Sequence, residues 1–441
     1  MKHAVGFGLD FGTTNSSIGI VDPSGEVTLA NFEYSGGLTA AYRSVLYLEQ
    51  IRKAGRSTIK SWTGPVAIDQ YLQADEKGRL IQSLKSFLTS RTLKSTEVFG
   101  RQQTLEDLVS VILRDIRQAA ELQFGMPVTS IVAGRPVRFV GADSPEDDAF
   151  AVSRLEIAMH KAGFENVSFE LEPIGAAHFY EATLDRDELI LIGDFGGGTS
   201  DFSLLRVGPS IRKRGRRPDD LLTNDGVGLA GDAFDAKIIR HLVSPALGAG
   251  TFLRSIDKML PVPNWVYMNL ERWHHLSLLR TKDVLHMLKS VKAQALEPDK
   301  IEALLHLIQN DLGYHLHRSV QQLKCALSES DIGQFHFVDG DVSIDATVTR
   351  AQFESWIAEE LGAIERCVDA ALSNAGVEAK DVDMVFLTGG TSFVPAVRRI
   401  FDLRFGRHRI RTGNEFTSVA HGLALKSAAQ TNPRPMPLAV L

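Results

Sequence analysis

Asp10-Phe-Gly-Thr-Thr-Asn-Ser16 and Asp194-Phe-Gly-Gly-Gly-Thr-Ser-Asp201 are two versions of one short pattern, and each lies between two apolar runs. Aspartate, phenylalanine, glycine and serine recur in them at a constant spacing of 184 residues. The pattern predicts a strand, a glycine turn and a second strand, formed twice in the chain. We interpret the repeat as a duplicated hairpin whose two copies face one ligand.

The residue types in these turns suit a phosphorylated ligand. Gly12 and Gly196–Gly198 let main-chain N–H groups approach a phosphate and permit the positive φ that amide nests use. Hydroxyl groups add donors, and each hydrogen bond to a charged group contributes about 1.5–3 kcal/mol. Carboxylates would repel the anion, which predicts a magnesium ion between them. The hydroxyl and acidic residues are Thr13, Thr14, Thr199, Asp10, Asp194 and Asp201.

These glycines would also suit an ordinary turn or a different phosphate motif. Two glycine-rich β-turns that only reverse the chain remain an alternative, although they would not require paired acids and threonines. No Gly-Lys-Ser or Gly-Lys-Thr occurs, which excludes a P-loop, and the spacing of Gly6, Gly8 and Gly12 does not fit the dinucleotide fingerprint. A phosphate clamp would therefore have to come from the hairpins.

Five blocks of sequence, in the same order as in the family, resemble the nucleotide-binding domain of the DnaK-type seventy-kilodalton heat-shock chaperones, within the actin-like ATPase superfamily. Two are the phosphate loops, and three others resemble a joining segment, a helix-opening segment and an adenosine-side turn. The five blocks are Gly8–Asn15, Asp194–Asp201, Glu172–Ala177, Gly228–Asp235 and Leu387–Pro395.

The resemblance implies a role for each matching residue. Lys85 stands where the family has a lysine that orients the attacking water. Without the resemblance, we would expect Lys85 to be a solvated surface charge. The other implied catalytic residues are Glu172, Asp201, Thr199 and Asp10, and magnesium would be held through its water shell by Asp10 and Asp194. Phosphate contacts are implied for Gly12, Thr13, Thr14, Asn15, Gly196, Gly197, Gly198 and Thr199. Contacts on the adenosine side are implied for Gly231, Lys324, Ser328, Gly389, Gly390 and Thr391.

The chain departs from the family pattern in two places. Cys325 and Phe393 stand where the family has arginines near the adenosine, and Gln321 stands where it has a glutamate. These changes bear on the preference for adenine. The sequence also ends at Leu441, soon after its last helical segment, from which we expect no peptide-binding domain. The nearest resemblance is therefore to the short YegD-like bacterial members.

The resemblance implies an α/β protein of the actin-like ATPase fold, with two lobes that each contain a duplicated ribonuclease-H-like mixed sheet flanked by helices. The nucleotide would occupy the cleft between the lobes. We expect lobe I at 1–187 with an insertion at 38–102, and lobe II at 188–412 with a helical insertion at 233–346. Residues 413–441 are expected to pack back on lobe I.

Local patterns predict several elements. Thr104 precedes an amphipathic helix, because apolar residues follow it at helical spacing. A single helix is expected from Arg350 to Gly376. In the second insertion, the aromatic residues Phe252, Trp265 and Trp273 are expected in the core, with a surface for a partner as the alternative.

Composition excludes several classes of partner. A net charge of −6 argues against nucleic acid and anionic membranes, and the basic run Arg212–Arg217 is expected to be a solvated loop. Two isolated cysteines favour the cytoplasm. Histidine pairs near 274 and 315 lack the spacing of a zinc site, so no metal beyond magnesium is expected.

The predicted function is an ATP-binding, slowly hydrolysing molecular switch that cycles between ATP and ADP and signals to an unidentified protein partner or co-chaperone. An actin-like filament-forming ATPase and a small-molecule kinase of the same superfamily remain alternatives. Nucleotide-dependent sedimentation would favour the first alternative, and substrate-stimulated ADP production the second.

Overall fold

The structure is a computed structural model of the 441-residue chain. It describes residues 6–34, 36–53, 56–74, 78–181, 183–254, 258–272, 279–412 and 418–431. The predictions for Trp273 and its histidine neighbours, and those for residues 413–417 and 432–441, lie outside these residues.

Strands and helices alternate along most of the chain. The strands are β1 Gly6–Phe11, β2 Asn15–Val21, β3 Val27–Leu29, β4 Phe32–Tyr34, β5 Gly37–Thr39, β6 Tyr42–Arg43, β7 Val45–Lys53, β8 Arg56–Thr63, β9 Arg79–Gln82, β10 Ser95–Val98, β11 Arg101–Thr104, β12 Ser130–Arg135, β13 Asn166–Leu171, β14 Glu188–Phe195, β15 Ser200–Val207, β16 Leu221–Val227, β17 Phe252–Arg254, β18 Met259–Pro261, β19 Ile332–Asp339, β20 Val342–Thr349, β21 Met384–Thr388 and β22 Ile410–Thr412. The helices are α1 Gly64–Gln73, α2 Leu105–Phe124, α3 Pro145–Ala162, α4 Glu172–Glu181, α5 Pro209–Arg214, α6 Gly231–Ile238, α7 Ser244–Ala246, α8 Asn264–Leu270, α9 Lys282–Gln294, α10 Pro298–Gln309, α11 Gly313–Glu329, α12 Arg350–Trp356, α13 Ala358–Ala375, α14 Pro395–Phe405 and α15 Ser418–Thr431.

The chain divides into two compact units. Unit 1 comprises Met1–Gly228, Cys367–Gly390 and Phe401–Leu441, and unit 2 comprises Leu229–Arg366 and Thr391–Ile400. The lobe boundaries expected from the sequence stay a prediction.

Two sheets of unit 1 have the same topology. Their strand orders are β13-β12-β1-β2-β3 and β22-β21-β14-β15-β16, with an antiparallel hairpin in the middle and a parallel strand beside its first strand. Asp10 is paired with Ser17 in the first hairpin, and Asp194 with Asp201 in the second. The registers are therefore also repeated at the spacing of 184 residues, which confirms that the hairpin is duplicated.

The first sheet is covered by helices on both faces. Leu9, Phe11 and Ile18 pack with the apolar stripe of α2 in a core where all three are at most 1% exposed. The predicted start of α2 is confirmed, because the Thr104 hydroxyl and the Asp107 carboxylate form a capping box. On the other side α15 lies so close to β1 that a Cβ on Gly8 would be 2.2 Å from the Ala424 nitrogen.

Unit 2 is mainly helical. Its core includes apolar residues of α10 and α11, and the β19–β20 hairpin packs on α11. The prediction that Phe252 and Trp265 are core residues is wrong, since each is 44% exposed. The single helix expected from Arg350 is also wrong, because Ile357 leaves helical geometry with ψ of 11° and separates α12 from α13.

The basic run Arg212–Arg217 is only partly a solvated loop. Arg214 forms a salt bridge to Asp220, and Arg216, with a side chain 14% exposed, lies 3.0 Å from the buried carboxylate of Glu181. Part of this positive charge is therefore neutralised within unit 1. No described helix is long and apolar enough to cross a membrane.

Candidate functional site

The two glycine turns lie at the ends of the paired hairpins of unit 1. Gly12 has no room for a side chain, since a Cβ would lie 2.1 Å from the Asn15 carbonyl oxygen. In the second turn the Gly196 N–H donates to the Thr199 carbonyl oxygen at 2.9 Å. Neither Gly12 nor Gly196–Gly198 has a positive φ, so the left-handed backbone that the sequence suggested for these turns is not found.

The first turn is also tied to the neighbouring strand β6. The Ser44 N–H donates to the Thr14 carbonyl oxygen at 2.9 Å, and Arg43 donates to the Asn15 side-chain oxygen at 3.3 Å. Thr13 precedes these contacts and is half-buried. The first turn is thus held by the segment Arg43–Ser44.

Lys85 is a buried lysine, not a surface charge. It lies in the 3-10 turn Leu84–Phe87, which begins after Ser83 with φ of 55°, and its Nζ is 2.6 Å from Glu172 Oε1. Glu172 is the first residue of α4, where the helix dipole favours a negative charge. Burial alone would lower the pKa of Lys85, but attraction to Glu172, Asp10 and Asp194 and the hydrogen bond to Glu172 raise it.

Three further carboxylates surround this ion pair, and each holds a proton more tightly than usual. Burial, followed by repulsion from Glu172, raises the pKa of Asp10 well above its ordinary value and that of Asp194 to about 6. Burial and repulsion from Asp194 raise the pKa of Asp201 to about 7, although a hydrogen bond from Thr199 lowers it. One lysine cannot offset the negative charge that these carboxylates carry when ionised, and the raised pKa values reflect this excess charge together with burial.

This excess charge is the observation that tests the fit of a magnesium ion. Magnesium favours one or two carboxylates, retained waters and phosphate oxygens, and Asp10 and Asp194 supply carboxylates of this kind in one cluster. Within the described ranges, no group of three or more histidine, cysteine or acidic side chains has the geometry to hold a metal directly. The carboxylates of Asp10 and Asp194 are the kind of donor that a hydrated magnesium ion shared with phosphate takes.

Sequence reasoning missed the residue that holds the Lys85 segment in place. Arg154 of α3 is 5% exposed, is paired with Glu106, and donates to the carbonyl oxygens of four residues that follow Lys85. The four acceptors and their distances are Phe87 and Leu88 at 3.4 Å, Ser90 at 3.0 Å and Leu93 at 3.1 Å. No sequence signal marks it, because a helix arginine is usually solvated.

The adenosine-side candidates are divided between the two units. Gly389 and Gly390 belong to unit 1, where Gly389 has φ of 83° and a Cβ would lie 1.9 Å from the Phe195 carbonyl oxygen. Only glycine permits this approach. The end of β21 is therefore pressed against the end of β14, beside Asp194.

The other four candidates lie in unit 2, and three of them converge. Lys324 Nζ donates to the Gly231 carbonyl oxygen at 3.2 Å and forms a 2.7 Å salt bridge with the buried Asp235. A Cβ on Gly231 would lie 3.0 Å from Thr391 Oγ1 and 3.3 Å from Lys324 Nζ. Ser328 donates to the Lys324 carbonyl oxygen one turn back along α11.

The two residues that replace arginines of the family pattern are both at the surface of unit 2. Cys325 is exposed as a free thiol, and Phe393 is 44% exposed. Both side chains are accessible to a ligand, which does not by itself assign them a role.

The duplicated mixed sheets and the acidic cluster at their hairpins define a class of α/β protein suited to a metal-bound polyphosphate. The family model described as Hsp70 protein matches residues 6–247 and 306–435. The chain therefore belongs to the Hsp70 family. This membership confirms the actin-like ATPase fold, and members of the family are ATPases that bind ATP and ADP with magnesium. The nearer resemblance to the YegD-like members stays a prediction.

Proposed function

We propose that the chain binds ATP with magnesium at the acidic cluster of unit 1 and hydrolyses it slowly, as a nucleotide-dependent switch of the Hsp70 type. The observation that carries this proposal is the buried Lys85–Glu172 pair at 2.6 Å, beside Asp10, Asp194 and Asp201. Gathering these five ionisable groups, one buried lysine and four carboxylates that are only partly exposed, is costly, and such clusters are concentrated at functional sites.

In the proposed reaction, Lys85 and Glu172 hold a water in line with the terminal phosphate. Lys85 stays protonated at neutral pH, so it orients the water rather than accepting a proton. When bound, magnesium supplies positive charge that neutralises the phosphate oxygens and the surrounding carboxylates. The main-chain N–H groups of the two hairpin turns and the Thr199 hydroxyl bind the phosphates.

We infer slow turnover from the proposed role as a switch. The proposal includes no covalent nucleophile and relies on positioning and charge neutralisation. A slow reaction suits a switch, because the ATP-bound state must last long enough to signal to a protein partner. The protein partner is part of the same proposal. So is a cytoplasmic location, which the isolated thiols Cys325 and Cys367 favour.

The experiment combines nucleotide affinity with single-turnover hydrolysis in the wild type, in Thr199→Ala and in Thr347→Ala. Thr347 is the control, because it is an exposed threonine of unit 2 on β20. Its hydroxyl donates a hydrogen bond to the side-chain oxygen of Gln334 on β19. Thr199→Ala is expected to slow hydrolysis at least tenfold and to change affinity much less, while the control behaves as the wild type. Equal losses in affinity and rate would contradict the role of Thr199, and a wild type that binds no nucleotide would overturn the proposed function.

A further inference from the structure

Asp194 and Thr388 are directly paired neighbours in the parallel strands β14 and β21. Side chains of paired residues in adjacent strands leave the sheet on the same face. The Thr388 hydroxyl donates to Asp194 Oδ1 at 2.8 Å, and Thr388 is 7% exposed. No pattern in the sequence gave Thr388 a role.

Two features fix this hydrogen bond in place. Thr388 is the last residue of β21, so its backbone is held by the β14 ladder up to the point of contact. The next residue, Gly389, is pressed against the Phe195 carbonyl oxygen, where even a Cβ would clash. The ends of both strands are therefore locked together, and the hydroxyl has little freedom to move away from the carboxylate.

We propose that Thr388 is a positioning residue for magnesium, because its hydroxyl fixes the rotation of the Asp194 carboxylate and leaves Oδ2 for the water shell of the ion. The proposal rests on the proposed function and adds a determinant of metal affinity within the same site. A carboxylate that is already oriented loses less conformational freedom when the hydrated ion binds, so the ion binds more tightly.

The experiment measures the affinity of the ADP complex for Mn²⁺ by electron paramagnetic resonance and the magnesium concentration that gives half-maximal single-turnover hydrolysis. The variants are Thr388→Val, which removes the hydroxyl at nearly constant shape, and Thr388→Ser, which restores it. Thr223→Val is the control, since Thr223 lies on β16 of the same sheet. Thermal unfolding without ligand shows whether each variant is folded.

Thr388→Val is expected to weaken Mn²⁺ binding and to raise the magnesium requirement roughly three- to tenfold, the size of the cost of immobilising one side chain. Thr388→Ser is expected to recover most of the loss, and Thr223→Val to match the wild type. An unchanged metal affinity in a folded Thr388→Val protein would overturn the inference while leaving the proposed function intact. A wild type that binds neither nucleotide nor Mn²⁺ would overturn both.

If Thr388→Val does not fold, Thr388→Ala with Thr388→Ser decides the question by the same readouts. Thr388→Ser keeps the hydroxyl but lacks the methyl group of threonine. If the alanine variant loses metal affinity and the serine variant does not recover it, the packing of the methyl group is responsible and the proposal is overturned.

Discussion

Lys85 and Glu172 are 87 residues apart in sequence, and their side chains, 7% and 12% exposed, meet at 2.6 Å. The contact joins the insertion that follows the first hairpin to the helix that precedes the second. Removing Lys85 would leave Glu172 beside three other carboxylates without this cation, and removing Glu172 would take from Lys85 its 2.6 Å partner while Asp10 and Asp194 still attract it. The pair is therefore sensitive to substitution on both sides.

Arg154 supports the Lys85 segment from outside the site. Arg154→Lys keeps the charge but loses the planar fork that reaches several carbonyl oxygens, so those acceptors lose buried partners. We expect the free energy of unfolding to fall by about 1–3 kcal/mol, which lowers the melting temperature. We also expect the rate of hydrolysis to fall at least fivefold, with a smaller loss of ATP affinity. Differential scanning calorimetry and single-turnover assays measure these effects. The guanidinium groups of Arg154 and Arg91 both lie over the Phe150 ring, and Arg91→Lys is the control because the Arg91 side chain is 58% exposed.

The two glycine turns give a matched pair of substitutions. A Cβ on Gly12 would lie 2.1 Å from the Asn15 carbonyl oxygen, whereas a Cβ on Gly198 would meet nothing within 4 Å. We expect Gly12→Ala to lower both thermal stability and ATP affinity, and Gly198→Ala to leave the stability of the ligand-free protein unchanged. Loss of affinity in Gly198→Ala would then report close approach of a phosphate. Normal stability in Gly12→Ala would contradict the described turn.

The acidic cluster predicts how stability depends on pH without ligand. The pKa values of Asp194 and Asp201 are raised by burial from 3.8 to about 6 and about 7. The folded protein therefore binds these protons more tightly than the unfolded chain does, and its free energy of unfolding falls as the pH rises from about 4 to about 7. We expect the melting temperature to be higher at pH 6 than at pH 8, measured by scanning fluorimetry.

Asp201→Asn removes one of these ionisations and should flatten that dependence, while Asp143→Asn, at an exposed aspartate, should not. Saturating magnesium and ATP should also flatten it, because the bound cation favours the ionised carboxylates. A wild-type melting temperature that is higher at pH 8 than at pH 6, together with a smaller difference of the same sign in Asp201→Asn, would contradict the assigned direction.

The hairpins were predictable because their pattern is local and duplicated, so strand, turn and register all follow from one repeat. Lys85 was identified by resemblance alone, since nothing nearby in sequence marks a lysine for burial. Arg154 and Thr388 could not be found, because their roles depend on contacts across more than 60 and 190 residues. The exposure of Trp265 was likewise missed, since aromatic composition favours burial without saying which surface is left uncovered.

Single-turnover hydrolysis of γ-labelled ATP with magnesium, in the wild type, Lys85→Ala and Lys94→Ala, is the decisive experiment for the proposed ATPase. Lys94 is the matched control, because it is an exposed lysine nine positions further along the chain. Nucleotide affinity and melting temperature are measured on the same preparations, to establish that each variant is folded and binds. We expect the wild type and Lys94→Ala to release phosphate, while Lys85→Ala binds ATP and releases phosphate at least a hundredfold more slowly. Phosphate release by Lys85→Ala at the wild-type rate would show that the buried lysine has no part in the reaction.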